Sequence, residues 1–226
     1  MHQVTPAHRA FQIAAIAVIL GTIGWLVWMF SSGSTPTGYS AVTYYVPQNA
    51  PADDVAVVST QATTRGPSRD VSEHWVEAYA HKTAIPTPAV RAYGRAVLAE
   101  PDDCHLGWTT LAAIGLIESG HGEGQGARLS AAGISSPTIT SSAGAFGPMQ
   151  FIASTWDQWK SDGDGDGLAN IDDINDAAVS AMRYLCSYGD LAQPATWARA
   201  IYAYNHSDAY VKSIYNAADN YAAMLH

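Results

Sequence analysis

An all-α domain is predicted for residues 72–226, and two features of the sequence predict it. Apolar residues recur at three- and four-residue spacing, which places them on one face of a helix. Short segments rich in Gly, Pro, Asp and Ser interrupt that pattern, as breakers between helices do. Helices are expected over 72–83, 88–100, 107–119, 154–160, 174–188, 197–204 and 209–224. Thr87 followed by Pro88 reads as an N-cap and first-turn pair. No internal repeat is visible, and loops between the helices are expected to build a groove.

Three segments precede this domain. Residues 10–30, AFQIAAIAVILGTIGWLVWMF, contain no charged residue. About 21 residues at ~1.5 Å each cross a ~30 Å hydrocarbon layer, so a transmembrane signal-anchor helix is expected. A cleaved signal peptide would have a shorter apolar region and a small-residue cleavage site, which fit this segment poorly. Arg9 lies before the span and the next basic residue is Arg65. The positive-inside rule then leaves residues 1–9 in the cytoplasm and places the rest outside a cell membrane crossed once. Residues 31–71, rich in Ser, Thr, Pro, Gly and Ala, read as a flexible linker. Runs at 42–46 and 55–58 have strand character, but two isolated strands are marginally stable, and both are assigned to the linker.

The formal charge of −9, without a Lys/Arg cluster, argues against a nucleic-acid partner. The two cysteines, Cys104 and Cys186, are expected to pair in an oxidising compartment, two buried thiols being the alternative. Such a bridge would contribute roughly 4 kcal/mol in the chain-entropy description.

Chemistry concentrates in LAAIGLIESGHG (111–122), SSAGAFGPMQF (141–151) and IYAYNHSDAY (201–210). On a helix through the first segment Trp108, Leu111, Gly115 and Glu118 share a stripe, with Ile114 and Ile117 beside it. The Glu118 carboxyl then faces inward. Desolvation and the carbonyl end of its own helix both disfavour the charged form, which suits a general acid near neutral pH. The alternative is a helix-terminal glutamate turned to solvent by Ser119, Gly120 and Gly122. In the second segment the glycines let backbone approach a ligand, Phe146 and Met149 could form an apolar floor, and Gln150 could donate to a sugar. The third offers Tyr202, Tyr204, Asn205 and Tyr210 as uncharged hydrogen-bonding groups, a lining that suits carbohydrate.

Residues 162–173, DGDGDGLANIDD, have calcium-loop spacing. Asp162, Asp164 and Asp166 take the first, third and fifth positions, Gly167 the sixth, the Leu168 carbonyl the seventh, Asn170 the ninth and Asp173 the twelfth. Asp173 stands where a bidentate Glu is usual, and Ala169 where a β-branched residue is usual. A structural Ca²⁺ is expected, and no organic cofactor. The eight histidines form no HExxH or Cys/His zinc pattern, and no GxSxG elbow is present.

Glu118-Ser119, Gly147-Pro148-Met149-Gln150-Phe151 and Ala203-Tyr204-Asn205, in this order, resemble the motifs of the lytic transglycosylases of bacterial cell walls. SSAGAFGPMQF and YNHSDAY look closest to the membrane-bound B-type branch, which also carries a calcium loop after its Gln motif. The resemblance covers roughly residues 88–221. It implies a lysozyme-like domain that cleaves the β-1,4 bond between N-acetylmuramic acid and N-acetylglucosamine in peptidoglycan glycan strands without water. Glu118 would act as acid and then as base, leaving a 1,6-anhydro end. Ser119, Ser141, Phe146, Met149, Gln150, Tyr204 and Asn205 would contact substrate. Three rival readings are a hydrolytic muramidase of the same fold, a Cys/His amidase built on Cys104 with His105 or His121, and a calcium-dependent wall-binding module without activity.

Overall fold

The computed structural model describes residues 70–225, and the expected membrane span and most of the linker lie outside them. Among the described residues no helix is long and apolar enough to cross a membrane. The described chain is helix-rich: α1 (Glu73–Thr83), α2 (Thr87–Leu98), α3 (Trp108–Ser119), α4 (Ala153–Trp159), α5 (Ile174–Cys186), α6 (Pro194–Asn205) and α7 (Asp208–Ala223). Between α3 and α4 run four two-residue strands, β1 (Arg128–Leu129), β2 (Ser135–Ser136), β3 (Ala145–Phe146) and β4 (Phe151–Ile152), paired antiparallel as β1 with β2 and β3 with β4. These hairpins were not expected from the sequence, because two-residue strands carry no readable alternation.

Helix α3 is the central element and packs against α2, α5 and α7. Its sequence WTTLAAIGLIES is apolar over most of its circumference, and every residue from Trp108 to Gly115 is buried. A helix with that pattern belongs in a core rather than at a surface. The expected single stripe is therefore corrected: Ala112 and Ala113 are buried too, whereas Leu116 and Ile117 in the last turn are exposed. Trp108 packs edge-on against Trp75 of α1 at 5.3 Å between ring centroids. On the far side, Trp197 of α6 donates its indole N–H to Thr110 Oγ1 at 3.1 Å.

Several boundaries move. Asp70 and Val71, assigned to the linker, belong to the folded unit: Asp70 pairs with Arg95 of α2 through two hydrogen bonds, and Val71 is buried against Gly94. Helix α2 starts with Thr87 inside it and Pro86 at the N-cap, so Thr87 is not the cap. Helix α5 ends at Cys186 and α6 begins at Pro194, the first-turn proline having a fixed φ already suited to a helix. Ser72 and Ser207 cap α1 and α7 by accepting the amides of Trp75 and Tyr210.

Candidate active site

Glu118 sits in the last turn of α3, which Gly120 closes at φ +59°. The side chain is half-buried, and burial raises its pKa. Tyr210, from the first turn of α7, donates its O–H to Glu118 Oε1 at 2.6 Å, which opposes that rise. Burial, and then the charge of Glu118, push the Tyr210 phenol upward, so it stays a donor at any ordinary pH. With Oε1 held, Oε2 is the atom left for a substrate.

The three motif segments are tied in a ring by three hydrogen bonds. The first joins the second through Ser119, whose hydroxyl donates to Pro148 O at 2.6 Å and accepts the Gly122 amide at 2.7 Å. The second joins the third through the Tyr204 phenol, which donates to Met149 O at 2.9 Å. Tyr204 and Tyr210 lie nearly parallel, 5° between planes and 6.4 Å between centroids, and Tyr210 closes the ring on Glu118.

Beneath the ring His121 is buried between two phenols, Tyr93 at Nδ1 and Tyr221 at Nε2, each at 3.0 Å. Burial lowers its pKa to about 4, so the imidazole is neutral and offers one donor and one acceptor. It fastens the residues after Glu118 to α2 and α7.

A cleft of about 500 Å³ opens over Glu118. Ser141, Gln150, Tyr204 and Asn205 line it. Ser119 and Met149 do not: both are buried, Met149 completely, because the turn from Gly147 to Gln150 sends the methionine side chain into the core. Phe146 does not line it either, and the apolar surface comes from Phe151 and Ile152 of β4. Gln150 differs from expectation in its role. Its side-chain N–H₂ donates to Ile139 O at 3.2 Å and Gly147 O at 2.8 Å, leaving the amide oxygen as an acceptor for a ligand. Ser141 Oγ accepts the Ala145 amide at 3.1 Å and can still donate. Thr155 and Tyr184 complete a polar, largely uncharged lining. Sequence reasoning missed Tyr184, Thr155, Phe151, Ile152 and the bond from Tyr210. Tyr210 was visible in the third motif, but its partner lies 92 residues away.

In the acidic loop Asp162, Asp164 and Asp166 each bring one carboxylate oxygen within 4.8 Å of the others. Amides of the loop shape this group, Gly165 and Gly167 donating to Asp162 and Leu168 to Asp166. Asp173, expected as the twelfth ligand, is the N-cap of α5, accepting both the backbone and side-chain N–H of Asn175 at Oδ1. One carbon shorter than Glu, it is engaged by its own helix start. Asn170 Oδ1 accepts the Asp172 amide. Asp176, unassigned by the sequence reading, braces the loop from inside by accepting the amides of Gly163 and Asn170. The loop also supports the cleft wall, since a Cβ on Gly147 would meet Ile171 O at 2.0 Å.

Cys104 and Cys186 are joined in a disulfide, which removes the thiolate an amidase would need.

Residues 128–199 match the family described as transglycosylase SLT domain. That span takes in Ser141, Gln150 and the acidic loop, and leaves Glu118 and Tyr204 to either side. No curated protein matches the chain. Among solved structures, SltB3 from Pseudomonas aeruginosa in complex with NAG-anhNAM-pentapeptide matches with a TM-score of 0.48 and 18% identity, over 79% of this chain and 73% of that one.

Proposed function

We propose that this protein is a peptidoglycan lytic transglycosylase that cleaves the β-1,4 bond between N-acetylmuramic acid and N-acetylglucosamine. The observation that carries the proposal is a solitary acid. Among the described residues lining the cleft Glu118 is the one carboxyl group, and the other polar groups are hydroxyls, phenols, amides and the His206 imidazole. Most glycosidases that use water carry a second carboxylate, as base or as nucleophile, about 5 to 9.5 Å from the acid. A lyase needs one. Glu118, whose pKa burial raises, gives its proton to the glycosidic oxygen as the C1–O bond breaks. The resulting carboxylate takes the proton of the muramoyl 6-hydroxyl as that oxygen bonds to C1, closing a 1,6-anhydro ring. Tyr210 holds one carboxyl oxygen through both steps. Ser141, the Gln150 amide oxygen and Asn205 are suited to the N-acetyl and hydroxyl groups of the sugars.

Incubation of purified sacculi with the full chain is expected to release muropeptides with stem peptides attached and one water lighter than reducing muropeptides. Free stem peptides would indicate an amidase and overturn the proposal.

We also infer that the acidic loop takes Ca²⁺, with carboxylate oxygens from Asp162, Asp164 and Asp166 and the Leu168 carbonyl as ligands, the ion bracing the loop behind Gly147 and taking no part in the chemistry. At about 100 times its Kd the ion contributes ~2.7 kcal/mol, a rise in Tm of roughly 5–10 °C for a domain of this size. Asp164→Asn should remove that rise, and a Tm indifferent to Ca²⁺ would contradict the site. Residues 10–30 are proposed to anchor the enzyme in the membrane beside its substrate.

A further inference from the structure

The disulfide has a carboxyl group beside it that the glycan chemistry does not use. A carboxylate oxygen of Glu100 lies within 4.8 Å of both Cys104 Sγ and Cys186 Sγ. The loop after α2 holds it there, Glu100 Oε2 accepting the Leu106 amide at 2.8 Å. Burial raises this carboxyl to about 7, against the smaller pulls of the Leu106 amide and the charge of His105. His105 is the titratable group that faces Glu100, and it is itself engaged by Asp190 at 2.9 Å on the exposed side of the loop. The two sulfurs differ in access: Cys104 is 2% exposed, and Cys186 is only partly buried.

We propose that Glu100 is the proton donor and acceptor for opening and closing the Cys104–Cys186 bridge by thiol–disulfide exchange. In opening, an external thiolate attacks Cys186 Sγ, the more accessible sulfur. The S–S bond breaks, and Cys104 leaves as a thiolate that takes the Glu100 proton. A second external thiolate then attacks the outer sulfur of the mixed disulfide, and Cys186 leaves and is protonated by solvent. Two external thiols give up two electrons and end as one disulfide. Closing is the reverse with a disulfide oxidant, the Glu100 carboxylate removing the Cys104 proton to make the attacking thiolate. A buried thiol has a raised pKa, so a base at hand governs how fast it reacts. The bridge joins the loop ahead of α3, which carries Glu118, to the end of α5, which carries Tyr184. Glu100 thereby sets the rate at which two walls of the cleft are locked together.

The test follows the full chain through opening by dithiothreitol and closing by oxidised glutathione, with acid quench, alkylation and mass analysis. Rates from about pH 5.5 to 8.5 are divided by the reagent's thiolate fraction. The corrected opening rate of the natural protein should fall as pH rises through about 7. Glu100→Gln keeps the acceptor for Leu106 and should open at least about tenfold more slowly below that pH, with no inflection, tenfold being below the usual gain from a positioned proton donor. His105→Gln should retain the inflection. Superimposable profiles for Glu100→Gln and the natural protein would overturn the proposal, as would an inflection lost in His105→Gln and kept in Glu100→Gln. If Glu100→Gln does not fold, a flat corrected profile for the natural protein overturns it alone.

Discussion

Glu118→Gln is expected to lower muropeptide release from sacculi by about 10² to 10⁴-fold, because one group supplies the proton for bond breaking and removes it for ring closure. The fold should survive. Gln keeps a carbonyl oxygen to accept the Tyr210 hydroxyl, and a neutral amide in a half-buried position spares the desolvation that raises the glutamate's pKa. An unchanged or slightly higher Tm beside a near-total loss of activity would separate the chemical role from a structural one. Activity retained in Glu118→Gln would point to a wall-binding module or to chemistry elsewhere.

Gly147→Ala should be strongly damaging. Gly147 has φ +74°, and an added Cβ would lie 2.0 Å from Ile171 O, a backbone atom that cannot swing aside. The left-handed conformation alone costs an L-residue roughly 1–2 kcal/mol. Displacing the acidic loop adds to this, for a total of about 3–5 kcal/mol and a Tm lower by roughly 10 °C or more. Gly144 is the control, having φ +77° but nothing within 4 Å of its added Cβ. Gly144→Ala should lose only the conformational part. The two are compared by urea unfolding and by muropeptide release, and equal losses would contradict the close approach of loop to cleft wall. Activity should fall further than stability alone dictates in Gly147→Ala, because the same turn carries the carbonyls that hold Ser119 and Tyr204.

What could be read before folding was set by how local each feature is. Glu118 at the end of an apolar helix and the spacing of Asp162, Asp164 and Asp166 are properties of short segments, and the structure shows that helix end and that cluster of carboxylates. The errors share a cause. Ser119 and Met149 stand in the motifs beside cleft residues, yet each is turned inward to tie one motif to the next, a partnership between residues 29 and 55 positions apart. Asp173 has the register of a metal ligand and also caps the helix that starts at the next residue, its Oδ1 accepting the Asn175 N–H groups. The hydrogen bond from Tyr210 to Glu118 depends on α7 packing along α3, which periodicity in either helix alone does not reveal. Leu116 and Ile117 are exposed because α3 emerges from the core in its last turn, close to the acid.

The claim that one carboxyl group works twice, with no water in the reaction, is tested most directly by digesting sacculi in ¹⁸O-enriched water and weighing the released muropeptides. A lyase should give anhydro ends that contain no heavy oxygen, since the new bond to C1 is made by the sugar's own 6-hydroxyl. Reducing ends carrying one ¹⁸O would show that water attacks C1, and would contradict the account.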